Sequence, residues 1–325
     1  MQQSAIIFDI YRGTSHDGPG QRDTVFFKGC PLSCQWCHNP EGITKEPLVW
    51  WQKRSCIGCK LCHEACPTGA NQLNEDGIFI DRSKCIACGE CVKACPAQAM
   101  TFSGEKWTLE DLVRELVKYK PFFDQTGGGV TASGGEAMLQ HEFVAALFSE
   151  LHRHHINTAL DTAGSVPAAW FDEVLPVTDY VLYDLKLMDT EEHRRFCGVG
   201  NEQIIENIRH IISCMEEPDS GFRVWIRTPL IPGATANEKN IAAIASFVVR
   251  ELGTENIDRW EMPSFNNSCI SKYERLGREW LFARAELLNR SETDRLRQAA
   301  IHAGFPGEKL FVTGIVREDK ENAEE

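Results

Sequence analysis

The sequence predicts an α/β fold, a β/α barrel or partial barrel with six candidate strands and a small cysteine-rich segment inserted into it. Two observations predict the barrel: apolar runs alternate with stretches of helical periodicity, and polar residues follow several of those runs. A third observation predicts the insert, because eleven of the fourteen cysteines lie between Cys30 and Cys95. We expect the barrel at residues 1–52 and 103–325 and the insert at residues 53–102.

Six strands and two capped helices are predicted for the barrel. The strands are expected at residues 24–28, 130–133, 158–161, 181–185, 222–226 and 259–262. Thr108 is expected to cap a helix that runs to Lys120 and is stopped by Pro121, and Asn237 a helix that ends before Gly253. Functional groups are expected at the carboxyl ends of the strands, where ligands bind in such folds. The charged residues 317–325 are predicted to be a frayed tail.

Composition and charge narrow the functional class. Of the 325 residues, 42% are hydrophobic and 25% are charged, which is ordinary for a packed globular chain. The formal net charge of −13 argues against nucleic acid as a partner, since phosphate contacts need clustered Lys and Arg. Without a long apolar run or a signal-peptide start, we expect no membrane partner and a cytoplasmic location. In a cytoplasmic chain, fourteen cysteines indicate metal or redox chemistry rather than disulfides.

The insert contains two runs of identical cysteine spacing, CIGCKLCHEACP and CIACGECVKACP, offset by 29 residues (Cys56 to Cys85). This is the spacing of bacterial two-cluster ferredoxins, in which the fourth cysteine of each run binds the other cluster. Two four-cysteine zinc sites are the alternative, although zinc ribbons usually place their CxxC pairs far apart. The spacing predicts two [4Fe-4S] clusters, one on Cys56, Cys59, Cys62 and Cys95, and one on Cys66, Cys85, Cys88 and Cys91.

A third set of cysteines lies in GCPLSCQWCHNPEG and consists of Cys30, Cys34 and Cys37, with no fourth cysteine nearby. Three thiolates leave one iron of a cubane cluster without a protein ligand, and such an open position can bind substrate. Two other interpretations stay open. One is a c-type haem attachment at the CxxCH stretch, which needs an export signal, and the other is a zinc site completed by His38.

Residues 16–42, HDGPGQRDTVFFKGCPLSCQWCHNPEG, closely resemble the N-terminal signature of glycyl-radical-enzyme activating enzymes of the radical SAM superfamily. The resemblance implies a partial barrel of the radical SAM kind. It also implies that the three-cysteine cluster binds S-adenosylmethionine (SAM) at its open iron. Reduction of the cluster then cleaves SAM to methionine and a 5′-deoxyadenosyl radical, which abstracts a hydrogen from a glycine of the partner.

Further motifs extend the resemblance through most of the chain. GGE resembles the family element that meets the SAM amino group, and LDTAG and YDLK follow the next two predicted strands. The resemblance implies that Asp161 contacts the ribose, that Lys186 contacts the SAM carboxylate, and that the aspartates help to hold a monovalent cation. Each residue taken singly also fits a turn cap or a solvated charge. The implied SAM contacts are Trp36, Gly134, Gly135, Glu136, Asp161, Thr162, Asp184 and Lys186.

Two later segments bear on the same site. Arg227 in IRTPLIPG is expected at the barrel rim or in a structural ion pair. Better-known family members carry Pro-Tyr-His before a KYxxLG segment, whereas this chain has MPSFNNSCISKYERLG. Asn266 or Asn267 is therefore the candidate for the place of the missing histidine. Because the two runs already supply eight thiolates, we interpret the remaining cysteines as non-ligands; they are Cys197, Cys214 and Cys269.

The sequence thus predicts an anaerobic radical SAM oxidoreductase that activates a glycyl radical enzyme. It is expected to use three [4Fe-4S] clusters, SAM, and flavodoxin or ferredoxin as electron donor. The insert either relays electrons or docks the partner, and by resemblance the partner is a dehydratase, lyase or decarboxylase. Two alternatives stay open: a radical SAM enzyme that modifies a small molecule or peptide without such a partner, and a polyferredoxin-like electron carrier.

Overall fold

The computed structural model describes residues 3–217 and 220–319, so residues 320–325 of the predicted tail lie outside the described part. Its strands are β1 (Ser4–Thr14), β2 (Arg22–Phe27), β3 (Leu48–Trp51), β4 (Asn71–Asn74), β5 (Gly77–Ile80), β6 (Met100–Ser103), β7 (Glu105–Thr108), β8 (Gly129–Gly134), β9 (Asn157–Thr162), β10 (Tyr180–Asp184), β11 (Arg223–Arg227), β12 (Ile257–Pro263) and β13 (Leu310–Thr313). Its α-helices are α1 (Leu61–Glu64), α2 (Glu90–Lys93), α3 (Leu109–Val117), α4 (Lys120–Thr126), α5 (His141–Arg153), α6 (Ala169–Val174), α7 (Thr190–Cys197), α8 (Glu202–Cys214), α9 (Glu238–Phe247), α10 (Ile270–Arg275) and α11 (Arg290–His302).

One nine-stranded sheet forms the centre of the molecule, in the order β13-β12-β11-β10-β9-β8-β2-β1-β7. The strands from β2 to β13 in that order run parallel, and β1 and β7 complete the other edge in antiparallel pairing. Within the described residues no ladder joins β7 to β13, so the barrel stays open. The predicted partial barrel and its six strands are confirmed, and β1, β7 and β13 are additions to them.

The helices cover the sheet with one apolar face each. In α5 the buried residues Phe143, Leu147 and Leu151 recur every four positions, which places them on one side of the helix. They belong to the same core as the inward residues of β8 and β9. No helix in the described part of the chain has the length and apolarity needed to cross a membrane.

Two predicted helix starts are confirmed, and one predicted helix end is wrong. The Thr108 hydroxyl accepts a first-turn N–H of α3 at 3.1 Å, and the Asn237 side chain accepts one of α9 at 2.9 Å. α9 continues as a π-helical turn that ends before Gly253, as predicted. However, α3 already ends at Val117, and Pro121 lies in the first turn of α4. Proline is tolerated there because the N–H that it lacks has no helical partner.

The cysteine-rich segment contains two small sheets of its own. β3 pairs with β6 and β4 with β5, both antiparallel. A separate apolar cluster lies between them, with Val49, Ile78 and Met100 among its members. The β3–β6 ladder extends to the pair Leu48 and Ser103, and both residues lie just outside the predicted insert of residues 53–102. The domain boundaries themselves stay a prediction.

The two cysteine runs of this segment have matching backbones. Left-handed residues recur at the same 29-residue offset as the cysteines. In each pair, one member is glycine and the other carries a side chain. A residue with a side chain is strained by about 1 kcal/mol in the left-handed conformation. The pairs are Gly58 with Ala87, Lys60 with Gly89, and Gly69 with Gln98.

Arg22 is a buried charge at the start of β2 that joins three strands. Its Nε donates to the Thr131 hydroxyl at 2.7 Å, and Nη1 donates to Asn157 Oδ1 at 2.7 Å and to the Pro19 carbonyl at 3.2 Å. Nη2 donates to the carbonyls of Val130 at 2.8 Å and Asn157 at 3.2 Å. Burial lowers the pKa of Arg22 to about 10, so the guanidinium stays charged at neutral pH.

We expect Arg22→Met to lower the free energy of unfolding by about 3 kcal/mol, because it leaves buried acceptors on β8 and β9 unpaired. Thermal unfolding of the reconstituted protein, followed anaerobically by circular dichroism, measures the effect. Gln21→Ala is the matched control at an exposed neighbouring position and should change stability by less than about 0.5 kcal/mol. Equal effects of the two substitutions would contradict the assigned role of Arg22.

Candidate active site

A cavity of about 300 Å³ opens at the carboxyl ends of the parallel strands. The loop after β2 brings all three cysteines of the CxxxCxxC motif to one wall of this cavity. The other walls come from the ends of the neighbouring strands, as predicted for this fold. The strand-end residues that line it are Gly134 of β8, Thr162 of β9, Asp184 of β10, Arg227 of β11 and Pro263 of β12.

Most residues implied as SAM contacts lie around this one cavity. Asn266 also lines it, whereas Asn267 does not, so Asn266 is the better candidate for the place of the missing histidine. Glu136 is the one implied contact that does not line the cavity. The implied contacts in the cavity wall are Trp36, Gly134, Gly135, Asp161, Thr162, Asp184 and Lys186.

Glu136 is buried behind the cavity wall and joins the ends of β8 and β9. Its carboxylate accepts the Thr162 hydroxyl at 2.8 Å and the N–H groups of Ala163 and Met138 at 2.9 and 3.2 Å. Burial raises the pKa of Glu136 to about 7 against the lowering effect of these hydrogen bonds. In this geometry Glu136 positions Thr162, and a direct contact with SAM stays a prediction.

The Gly-Gly pair lets the end of β8 approach the cysteine loop closely. Gly134 has a φ of +121°, and a Cβ there would overlap the backbone of Phe27. A Cβ at Gly135 would overlap the Gly29 carbonyl oxygen. The Gly135 N–H donates to the Phe27 carbonyl at 2.9 Å. The pair is therefore required by packing against the chain that leads into the cysteines, whatever it binds.

Two carboxylate–cation pairs form the polar wall of the cavity. Lys186 donates to Asp184, while Arg227 Nη1 donates to Asp161 Oδ1 at 3.1 Å and the Ser133 hydroxyl to Asp161 Oδ2 at 2.6 Å. Burial raises the pKa of Asp161 to about 6, with Arg227 acting in the opposite direction. Burial lowers the pKa of Lys186, but the charge and hydrogen bond of Asp184 together with the charge of Cys34 outweigh it, so the net shift of the pKa is upward. Arg227 thus lies both at the rim and in an ion pair.

The end of α7 holds the cysteine loop from one side. The Cys197 carbonyl accepts the Ser33 N–H at 2.9 Å, and the Phe196 carbonyl accepts the Gln35 N–H at 3.0 Å. The Cys197 thiol is fully buried and lies beside Cys34. The two hydrogen bonds from the loop to α7 could not be predicted from the sequence, because backbone carbonyls at a helix end leave no sequence signature.

The KYERLG segment holds the same loop from the opposite side. The Tyr273 hydroxyl donates to the Cys37 carbonyl at 2.9 Å. Lys272 Nζ donates to Asn39 Oδ1 at 2.7 Å and pairs with the buried Glu41 carboxylate at 2.8 Å. The motif had been noted in the sequence, and the structure gives it a role in fixing the chain that follows the cysteines.

The eight cysteines of the insert line two separate cavities that correspond to the two predicted sets. The fourth cysteine of each run accepts a backbone N–H in the same way, Cys66 from Ala70 and Cys95 from Ala99, each at 3.2 Å. One cavity, of about 230 Å³, is lined by Cys56, Cys59, Cys62 and Cys95. The other is lined by Cys66, Cys85, Cys88 and Cys91.

The sulfur atoms of the predicted cysteine sets are spaced more widely than the ligands of a single tetrahedral zinc ion. In a tetrahedral thiolate zinc site the sulfurs lie about 3.8 Å apart, since each Zn–S bond is about 2.3 Å. A group of three metal-ligating atoms that all lie within 4.8 Å of one another occurs once among residues 3–217 and 220–319. It consists of Asp172, His210 and Cys214. In each predicted cysteine set, no three sulfur atoms lie within 4.8 Å of one another. This spacing is compatible with a cubane cluster, whose thiolates bind separate irons.

Comparison with known sequences agrees with the geometry. Residues 24–245 match the Radical SAM superfamily. Indoleacetate decarboxylase activating enzyme of Tractidigestivibacter scatoligenes is 38% identical over 284 residues, 84% of this chain and 87% of the relative. Isethionate sulfite-lyase activating enzyme of Desulfovibrio desulfuricans is 38% identical over 305 residues, 92% and 95% of the two chains.

A third sequence relative is also named as an activating enzyme, and one solved structure resembles part of the chain. The crystal structure of a domain of pyruvate-formate lyase-activating enzyme from Bacteroides vulgatus covers 57% of this chain and 99% of that domain, with 27% identity and a TM-score of 0.46. Trans-4-hydroxy-L-proline dehydratase activating enzyme of Clostridioides difficile is 35% identical over 294 residues, 90% of this chain and 94% of the relative. The family match and the three sequence relatives show that the chain belongs to the radical SAM superfamily and, within it, to the glycyl-radical-enzyme activating enzymes.

Proposed function

We propose that this protein activates a glycyl radical enzyme by removing a hydrogen atom from a glycine of that partner. One observation carries the proposal: a single cavity at the strand ends unites three cysteines, a Gly-Gly turn and two carboxylate–cation pairs. Relatives that match most of the chain are named as activating enzymes of a decarboxylase, a lyase and a dehydratase. A bound [4Fe-4S] cluster of this family supplies the electron for reductive cleavage of SAM.

The proposed ligands of that cluster are Cys30, Cys34 and Cys37. Soft thiolates suit iron–sulfur clusters, and all three side chains face the cavity. The loop between them is fixed by α7 on one side and by the KYERLG segment on the other. This rigidity keeps the three sulfurs oriented toward the space where SAM is to bind.

The residues proposed to hold SAM match its charged and polar groups. Lys186, kept cationic by Asp184, suits the SAM carboxylate, and Asp161 can accept hydrogen bonds from ribose hydroxyls. The Gly134–Gly135 backbone is proposed to lie beside the amino group, and Trp36 to form part of the apolar wall. A monovalent cation near Asp161 and Asp184 belongs to the same proposal.

The insert is proposed to hold two further [4Fe-4S] clusters and to relay electrons. Two cavities with four cysteines each, on backbones that repeat at a 29-residue offset, support this arrangement. Ferredoxin-type potentials of about −400 mV suit transfer from reduced flavodoxin or ferredoxin. The net charge of −13 supports a role without nucleic acid. A reducing cytoplasm is the proposed location, because reduced thiolates persist there.

Anaerobic reconstitution of the wild type should yield about twelve irons per chain and 5′-deoxyadenosine on addition of SAM and dithionite. Cys34→Ala should lose about four irons and all SAM cleavage. Cys214→Ala, which changes a cysteine outside all three sets, is the matched control and should keep both. Iron and sulfide assays with chromatography of the product measure these outcomes. Zinc in place of iron, or SAM cleavage by Cys34→Ala, would rule out the proposal.

SAM binding should weaken as the pH falls through about 6. The pKa of Asp161 is raised to about 6, so its carboxylate is ionised at pH 7 and protonated at pH 5. The affinity should therefore drop by about tenfold between those values. Asp161→Asn should bind more weakly at pH 7 and lose the tenfold change centred near pH 6, which leaves the smaller effect of Glu136, whose pKa is about 7 and which acts through Thr162.

Equilibrium dialysis of SAM against the oxidised, reconstituted protein makes this measurement. Glu173→Gln changes an exposed carboxylate away from the cavity and should keep the wild-type profile. A full tenfold change that survives in Asp161→Asn would assign the pH dependence to another group.

A further inference from the structure

We infer that the two cysteine sets of the insert have different places in electron transfer. The inner set, Cys66, Cys85, Cys88 and Cys91, adjoins the SAM site and passes electrons to it. The outer set, Cys56, Cys59, Cys62 and Cys95, receives them from an external one-electron donor. This inference rests on the proposed function, in which each set holds a [4Fe-4S] cluster.

A cavity of about 370 Å³ joins the inner set to the barrel. Cys85 and the following Ile86 form one wall of it. Pro40, three residues after Cys37 in the chain, forms another wall, and Leu276 at the end of α10 forms a third. An inner-set cysteine and the loop that follows the SAM-site cysteines therefore border the same space.

Hydrogen bonds connect the same two regions. Arg82 lies three residues before Cys85, and its guanidinium donates to the Val49 carbonyl at 2.6 Å and to the Arg275 carbonyl at 3.1 Å. Arg275 is the last residue of α10, and its own guanidinium lies 5.1 Å from the centre of the Trp50 ring.

The same helix then reaches the SAM-site loop. Two residues before Arg275, the Tyr273 hydroxyl donates to the Cys37 carbonyl at 2.9 Å. A continuous path of bonded groups thus runs from the inner set through Arg82 and α10 to Cys37.

Among the described residues, the outer set borders no cavity that it shares with the barrel. Its own cavity is lined by positions 51–100 and that of the inner set by positions 49–91, so the two sets differ because Cys85 also borders the cavity of about 370 Å³. Cys59 is exposed, and so is Ile57 between the first two cysteines, with 67% of its surface accessible. Cys88 of the inner set is also exposed. Contact with the barrel, rather than exposure alone, therefore distinguishes the two sets.

Asn71 connects the two sets to each other. It is 2% exposed, its Nδ2 donates to the Cys62 carbonyl at 2.9 Å, and it lines the cavity of the inner set together with Cys91. Cys62 belongs to the outer set and Cys91 to the inner set. An electron that enters at the outer set can therefore reach the inner set through the interior of the insert.

The transfer is a chain of one-electron steps. A reduced flavodoxin or ferredoxin loses one electron to the outer site, which returns to its oxidised state when the inner site accepts that electron. The inner site is reoxidised in turn when the electron reaches the site at Cys30, Cys34 and Cys37. No covalent bond forms or breaks in these steps.

The test compares Cys59→Ala with Cys88→Ala, equivalent exposed positions of the outer and inner sets. The full-length protein is reconstituted, its iron is counted, and the reduced state is studied by low-temperature electron paramagnetic resonance. The signal that shifts on addition of SAM identifies the SAM-site cluster. A reduced cluster nearby speeds the spin relaxation of the SAM-site signal. If the inner set is that neighbour, Cys88→Ala should relax more slowly than the wild type, whereas Cys59→Ala should relax at the wild-type rate. The reverse result, or the same relaxation in both variants, overturns the inference.

A second variant keeps every cysteine, in case loss of one ligand unfolds the insert. Arg82→Gln should retain about twelve irons. It should slow reduction of the SAM-site cluster by reduced flavodoxin and leave reduction by dithionite unchanged. Lys84→Gln, at an exposed neighbouring position, is the control and should behave as wild type. Unchanged flavodoxin-dependent reduction in Arg82→Gln counts against the assigned path.

Failure of the underlying function gives a different result. If the wild type binds only about four irons or does not cleave SAM with dithionite, the proposed function fails. If it binds about twelve and cleaves SAM, but relaxation reports the opposite order, only the assignment of inner and outer sets fails.

Discussion

Parallel strands end at the same edge of a sheet, and this constraint organises the whole site. Each of five successive strands from β8 to β12 places its last residue in the wall of one cavity, and the loop after β2 adds the cysteines. The arrangement depends on a close approach between β8 and β2 that only glycine permits at Gly134 and Gly135. A side chain at either position would separate the strand end from the cysteine loop, and with it the polar wall from the metal ligands.

The cysteine loop itself is irregular, and packing rather than secondary structure fixes it. Backbone carbonyls of α7 hold one side, and Tyr273 and Lys272 of α10 hold the other. Burial of Glu41 with Lys272 makes this contact sensitive to the loss of either partner, since a lone buried charge is costly. The site therefore combines a rigid sheet edge with a loop fixed from both flanks.

Sequence patterns predicted the parts of this structure that repeat or alternate. The six parallel strands and the two helix caps were predicted correctly, and a cavity lies at the strand ends, where the site is predicted. β1, β7 and β13 were missed, since the first two pair antiparallel at one edge of the sheet and β13 is four residues long at the other edge. The direction of the Glu136 side chain was equally inaccessible. It depends on Thr162 and Ala163, which lie 26 and 27 residues away in the chain.

The mixed glycines of the two cysteine runs have a consequence for assembly of the protein. Neither half has glycine at all three left-handed positions, so Lys60, Ala87 and Gln98 together store about 3 kcal/mol of backbone strain. The apolar cluster of this segment is small, and binding of the two proposed clusters would supply free energy that offsets the strain. The folded fraction of the segment should then follow the cell's supply of iron and sulfide. Under iron limitation, chains in which the proposed two-cluster insert is unfolded should then accumulate.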